Sequence, residues 1–463
     1  MRARALRGIP ILLVVAAFHA ESASRDEPWR LGEMLHAPSW LTIEGSERLR
    51  YEYLDNTFRV LDPGADDYLV SRLRLHVRAD GRHLYGGIEF QDSRGWFDEP
   101  FTPVGTDDVN VLEPLQAYLG YRGSSLFAEG DGLDLQVGRF TLDVGSRRLL
   151  ARNRFRNTTS SFTGLSLTWT SPGQVVLRSF LTMPSTRLPN TLEPERLRSN
   201  EFELDQDQPD HVFWGLHVSG VTLPLSIDSE WYLYGLREDD RPGVPTRNRD
   251  LATAGLRLQK NSARWAGEVE VAYQFGETRA TAAPADLADL DHRAWFAHAE
   301  LTRQYAGRWQ PRIIFRYDYA SGDRDPGDGR FERFDTLFGD RRWEFGPTGI
   351  YGALTRSNIQ SPGVALRLRP ASDLDLRLDY RAAWLASKKD AMPTAGLWDP
   401  GGNSGAFIGQ QVDARVNWQV VQDSLAVELG AAYLFKGEFL RDAPNAPPSS
   451  DTVYLYLAST LTF

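Results

Sequence analysis

The sequence predicts an all-β fold, a transmembrane up-and-down antiparallel β-barrel of about 18 strands (16–18). Three observations predict it. Apolar and polar residues alternate at period two in segment after segment of the 463 residues, the signature of strands with one dry face. The gaps between these segments are by turns short and long. The final stretch, DTVYLYLASTLTF from 451 to 463, keeps its alternation to the last residue, Phe463.

The elements follow in chain order. MRARALRGIPILLVVAAFHAESAS carries Arg2, Arg4 and Arg7, then an apolar run from Ile9 to Phe18. It reads as a secretory signal over residues 1–24, with an apolar run too short for a spanning helix. A short periplasmic segment is expected over 25–40, and the barrel over 41–463. There is no Cys, so neither disulfides nor a lipidated Cys can hold the chain. A secreted chain of this kind needs a large fold or a membrane instead. Hydrophobic residues make up 41% and mean hydropathy is −0.40. Those values look soluble, yet a transmembrane barrel gives them too, because half of each strand faces water.

Near the start, ERLRYEYL sets Leu49, Tyr51 and Tyr53 against Arg48, Arg50 and Glu52. YLVSRLRLHVRAD sets Leu69, Leu73, Leu75 and Val77 against Arg72, Arg74, His76 and Arg78. DLDLRLDYRAAW and SLAVELGAAYLF repeat the pattern at 373–384 and 424–435. At the end, Val453, Leu455, Leu457 and Leu461 share a face with Phe463, while Tyr454, Tyr456 and Ala458 oppose them. Turn residues at Asp80-Gly81, Ser171-Pro172-Gly173, Lys260-Asn261, Pro370-Ala371-Ser372 and Gln422-Asp423 join strands closely. Polar stretches near 55–66, 91–112, 183–210, 237–249, 276–292, 321–349, 386–406 and 437–451 are the long loops. Strands near 138–160, 173–182 and 350–369 carry a weaker pattern. Short turns on one side and long loops on the other are the arrangement of outer-membrane barrels, and an even count leaves both ends in the periplasm. The last strand must then pair with the first, because lipid tolerates no open edge. Outward-reading Tyr51, Tyr53, Trp169, Trp231, Trp265, Trp295, Trp384, Trp418 and Tyr433 are placed for interfacial girdles.

Arginine is the chemical signal. Only four lysines occur, so Arg supplies 48 of 52 basic residues, in a chain of net charge −10. Arg48, Arg50, Arg72, Arg74, Arg78, Arg122, Arg257, Arg316, Arg367, Arg369, Arg377 and Arg381 fall on the lumen-facing register. Glu44, Glu52, Asp375 and Asp379 are placed to pair with some of them, as a salt-bridge network stiffening the wall. The densest cluster is GRFTLDVGSRRLLARNRFRNTTSSFTG, 138–164, with Arg139, Arg147, Arg148, Arg152, Arg154 and Arg156. No Asp or Glu lies between 144 and 192 to neutralise it. Residues 147–156 are therefore expected at or inside the lumen, as its narrowest cationic stretch. Guanidinium groups stay charged and grip carboxylates bidentately.

That stretch, with WRLGEMLHAPSWLTIEGSERLRYEYLDNTFR at 29–59, resembles the alginate export family of outer-membrane proteins. The terminal alternation with Phe463 is similar to the closing strand that barrel assembly machinery reads. The resemblance implies an eighteen-stranded monomeric barrel in a Gram-negative outer membrane, reached by Sec-type export. Its Arg-lined lumen would conduct an anionic polysaccharide passively. Expected partners are an alginate-like polyuronate or small anion, outer-membrane lipid and the assembly machinery, with no nucleic acid.

Two other classes compete. One is an uptake porin for small anions. The other is a barrel enzyme, which needs a nucleophile, a base and an orienting group. His217 and Ser219 in LHVSG are the nearest candidates, mid-strand and without a lipase motif. There is no HExxH and no phosphate-cradling Gly loop, so an enzyme is not expected. No cofactor is expected either. Asp323, Asp325 and Asp328 in DRDPGDG are a weak candidate for a structural Ca²⁺ in a loop, off the EF-hand spacing.

Overall fold

The computed structural model describes residues 28–60, 64–99, 102–240, 245–448 and 450–463. The expected signal at 1–24 lies outside the described residues, as do parts of the loops expected near 55–66, 91–112, 237–249 and 437–451. Eighteen strands form the wall. The first six are β1 (Leu41–Asp55), β2 (Asp66–Asp80), β3 (Leu84–Trp96), β4 (Asn110–Ser124), β5 (Gly132–Phe140) and β6 (Phe162–Thr170). Then come β7 (Val176–Thr186), β8 (His211–Leu223), β9 (Ile227–Glu238), β10 (Asp250–Asn261), β11 (Trp265–Thr278) and β12 (Leu290–Gln304). The last six are β13 (Arg312–Ala320), β14 (Ile359–Ala371), β15 (Leu374–Trp384), β16 (Phe407–Val421), β17 (Leu425–Lys436) and β18 (Thr452–Thr462). Two-residue pairings at Gln206–Asp207 and Arg330–Phe331 belong to loops. No helix among the described residues is long and apolar enough to cross a membrane.

Each strand pairs antiparallel with the next, and β18 returns to β1 in register from Ser46 opposite Thr462 to Asp55 opposite Val453. The seam reaches the last residue. The Gly45 N–H donates to the Phe463 carbonyl at 2.7 Å, and the Phe463 N–H donates back to Gly45 at 2.9 Å. Closure leaves no strand edge to be satisfied by lipid.

Alternation assigns the faces. Leu49, Leu73, Leu75, Leu119, Val269, Leu378, Leu455 and Leu457 are exposed on the outer surface, while Arg48, Arg50, Glu52, Tyr454 and Tyr456 are buried inside. The outer apolar band is what a hydrocarbon solvent requires. Trp265 and Trp418 mark its short-turn end, and Tyr433 its long-loop end.

The strand expected near 138–160 does not form. β5 stops at Phe140, and residues 141–161 leave the wall and fold into the lumen. The reason is in ARNRFRN: Arg occupies one register and Ala, Asn, Phe and Asn the other, so neither face could meet lipid. Positive φ at Gly145 (57°) and Arg147 (65°) turns the chain inward. The other two weakly patterned strands do form, as β7 and β14. Residues 350–358 belong instead to a second inserted loop, 321–358.

The two inserted loops build a core inside the barrel. Leu149, Leu150, Phe155, Phe334, Phe345, Ile350 and Tyr351 pack in one cluster with Leu54, Phe162, Phe213, Tyr454 and Tyr456 of the wall. They also clasp each other. Ala151 N–H donates to the Phe338 carbonyl (3.1 Å), Phe338 N–H to Leu149 (3.0 Å) and Asp340 N–H to Arg147 (2.9 Å). The approach is so close that a Cβ on Gly339 would sit 1.7 Å from the Arg148 carbonyl. A glycine is required there.

Candidate functional site

The wall supplies the first charges. Alternation in β1 and β2 turns Arg48, Arg50, Arg72 and Arg74 inward, and the antiparallel register sets Arg48 directly opposite Arg72. Like charges in that position repel. The 141–161 loop relieves this with main-chain carbonyls rather than acids. Arg48 donates to the carbonyls of Arg154 (2.8 Å) and Arg156 (3.1 Å), and Arg72 to the same two at 3.0 and 2.9 Å. Arg74 is held by Gln91 (3.0 Å) and Thr159. None of the three makes a salt bridge with a described carboxylate, although Arg48 and Arg72 are buried. Arg50 is different: it is paired with Glu52 at 2.7 Å.

Across the lumen a second group follows from register alone. Arg312 lies opposite Arg367, Arg367 opposite Arg377, and Arg377 opposite Arg415, a row of four across β13 to β16. Arg377 is bound by Asp379, and Arg415 has Glu428 at 3.9 Å. Arg367 has no salt bridge among the described residues, and its Nε has no hydrogen-bond partner. Arg381 is paired with Asp318 at 2.6 Å. Arg122 sits at the short-turn end of the barrel between Asp80 and Asp134, each at 3.2 Å. Arg139 is held at the opposite rim by Glu113 and by Asp207 (3.2 Å), which ties the wall to the 187–210 loop.

The loop arginines do enter the lumen, but most of their charge is matched. Sequence distance hid the partners. Arg148 is clamped by Glu268 (2.5 Å), Glu270 (2.6 Å) and Glu344 (3.1 Å). Arg152 pairs with Glu89, and Arg156 with Asp107 at 2.9 Å. Arg147 stacks on Trp343 at 4.9 Å. Arg154 alone stays open, 67% exposed and 3.9 Å from Asp143. No acid between 144 and 192 supplies these partners; acids from four other elements reach in.

The second inserted loop brings charges that its sequence does not advertise. Arg341 is half-buried, and its desolvation, with Arg156 nearby, pushes its guanidinium down to about 9. Glu344 would be raised by burial, but Arg356 and Arg148 hold it down at about 2. Arg342 bonds Glu428 (3.2 Å) and Tyr456. The only hint was an Arg-Arg-Trp triplet, 341–343, inside a stretch that otherwise reads as solvated loop.

Between the wall and both loops lies a cavity of about 190 Å³. Arg48, Arg50, Arg72, Arg154, Arg342 and Arg415 line it, against two carboxylates, Asp340 and Glu428. Arginine is the group for planar anion recognition, and six guanidiniums against two carboxylates leave this cavity with a cationic lining. Among the described residues no three Asp, Glu or His side chains gather to hold a metal ion, and Asp323, Asp325 and Asp328 are included in that. His217 hydrogen-bonds Glu230 at 3.2 Å and stacks on Tyr232.

The whole barrel is similar to solved outer-membrane proteins of Pseudomonas aeruginosa. OpdQ shares 12% identity at a TM-score of 0.57, covering 91% of this chain and 97% of that one. OccK2 (OpdF) in complex with glucuronate shares 12% at 0.55, and OpdK with vanillate 12% at 0.55, each covering 91% of this chain and 98% of the other. At such identities the likeness concerns the fold. No curated protein matches the sequence. The alginate export family matches residues 39–452, almost the full circuit of the wall, and the chain is an outer-membrane β-barrel belonging to that family.

Proposed function

We propose that this porin-like barrel is a passive, anion-selective channel for carboxylated carbohydrate, an alginate-like polyuronate. One observation carries the reading. Arg48, Arg72 and Arg74 lie in the lumen wall with carbonyl, amide and hydroxyl partners but, among the described residues, no carboxylate, so their charge remains for a passing anion. Conduction needs contacts weak enough to release, and a series of guanidiniums offers several modest ones. Membership of the alginate export family supports the substrate class, as does a neighbouring fold solved with glucuronate.

A second reading is uptake of small carboxylates. The two inserted loops favour it, because they pack against the inside of the wall and bound a cavity of only about 190 Å³. OpdK with vanillate is consistent with that.

Planar-bilayer recordings test the proposal. Under a salt gradient the wild-type reversal potential should report anion preference, and Arg74→Gln with Arg367→Gln should move it toward zero. Equal selectivity in variant and wild type would remove the lumen arginines from the mechanism. Oligouronates blocking current more strongly than monomers would favour the polymer, and the reverse order the small anion.

A further inference from the structure

On the lipid-facing register of a barrel a charged side chain is costly at mid-depth and tolerated near the interfaces. Two cations occupy that register at the short-turn end. Lys260 of β10 lies opposite Gly267 of β11, and Arg303 of β12 lies opposite Trp265, which shares a face with Gly267. The two cations therefore flank one strand, roughly 10 Å apart across it. Neither has a salt bridge among the described residues. Arg303 lies instead over the rings of Trp265 (4.6 Å) and Tyr305 (5.4 Å), aromatics suited to interfacial depth. The inward residues of neighbouring strands differ: Arg257 bonds Glu268 at 2.6 Å, and Arg316 bonds Glu300 at 2.7 Å.

Beside the cations the outer surface is hollow. A groove of about 540 Å³ starts at Lys260 and runs between Leu258, Val269, Leu301 and Phe315, over Gly267 and Ala299. Gly267 makes the notch, since a Cβ there would meet nothing within 4 Å. A second groove of about 460 Å³ continues along β10 and β11 over Ala254, Leu256 and Val271. From Lys260 to Ala254 is about 20 Å of strand. At a barrel strand's tilt of about 40° that rises roughly 15 Å, half of a hydrocarbon core of about 30 Å. The trough thus spans one leaflet. A larger hollow of about 920 Å³ beside β2 to β5 has no cation in its lining, so apolar room alone does not mark the place.

The geometry points to a phospholipid site on the outer wall. Its occupant is one glycerophospholipid of net negative head, with the phosphate between Lys260 and Arg303 and an acyl chain along β10 and β11. The phosphate supplies the counter-charge that the protein withholds from both cations. The site lies outside the lumen and is independent of what the channel conducts.

Native mass spectrometry of detergent-purified barrels, offered phosphatidylglycerol, phosphatidylcholine or glycerol phosphate, tests it. One phosphatidylglycerol should stay bound per barrel under conditions that strip phosphatidylcholine, and glycerol phosphate should not displace it. Lys260→Gln combined with Arg303→Gln should lower the affinity for phosphatidylglycerol about tenfold. Gly267→Leu, whose side chain enters open groove, should weaken it without removing a charge. Heat-modifiable migration checks that each variant barrel is folded, and where a variant fails that check the wild-type preference between the two lipids decides. Equal retention of both lipids, unaltered retention in both variants, or displacement by glycerol phosphate would overturn the site. Masses of two or three barrels in place of bound lipid would overturn it too, making the groove an interface between copies.

Discussion

Asn157 is fully buried, and its side chain joins four elements. Its amide donates to the carbonyls of Ser71 (2.7 Å) and Asp108 (2.8 Å), and its oxygen accepts from Arg48 at 3.1 Å. Its own N–H and that of Thr158 both donate to the Asp107 carbonyl at 3.1 Å. Asn157→Ala would leave those groups without partners, a cost of about 1–3 kcal/mol. The expected outcome is a looser 141–161 loop: higher single-channel conductance and faster proteolysis within 147–156. Unchanged conductance and cleavage would show that the clasp with 336–340 holds the loop alone. The sequence marked the arginines around Asn157 but not Asn157 itself. An Asn among loop residues looks like any turn former, and its partners are 49 to 109 positions away.

The segment 102–109 shows what an element gains from its neighbours. Asp108 is buried in it and accepts from the Gly105 N–H at 3.1 Å. Burial first, then Asp107 and Glu52, push its carboxyl up to about 7, with Arg50 opposing. The folded state therefore holds a proton that the unfolded chain, titrating near ~3.9, does not. Stability from this group is full below about 4 and is lost as pH rises through about 7. Asp108→Asn should be more resistant to urea than wild type at pH 8, by at most about 4 kcal/mol, and the gap should narrow to about 1.5 kcal/mol at pH 5 and close below about pH 4. A gap that is constant with pH would place the proton elsewhere. Elements of the wall were legible because each strand needs one apolar face, and that requirement is local. The inserted loops were less so. The 147–156 cluster was expected at the lumen from charge density, yet its partners Glu89, Asp107, Glu268, Glu270 and Glu344 come from elsewhere in the chain.

At the scale of the molecule, the seam between β1 and β18 closes the barrel, and Phe463 provides its last backbone pair. The Phe463 ring also lies where a Cβ on Gly45 would be, 2.5 Å from it. Deleting Phe463 should leave synthesis normal and reduce the heat-modifiable barrel recovered in the outer-membrane fraction. Wild-type recovery would show that the seam closes without its terminal residue. The outer surface and the interior are thus fixed together: one register puts leucines toward lipid and arginines toward the barrel interior in the same strands.

The sequence by itself determined the wall. Period-two alternation, turn chemistry and the patterned ending depend on neighbours two residues apart, and they specified a closed barrel of eighteen strands with Arg48, Arg50, Arg72, Arg74, Arg367, Arg377 and Arg381 inside. Tertiary structure decided which of those charges remain free. Arg50, Arg377 and Arg381 meet carboxylates, whereas Arg48 and Arg72 meet, among the described residues, carbonyls and an amide. That outcome depends on where two long loops dock. Coulomb pairing acts through space, so an acid more than a hundred residues away neutralises Arg148 as surely as a neighbour would.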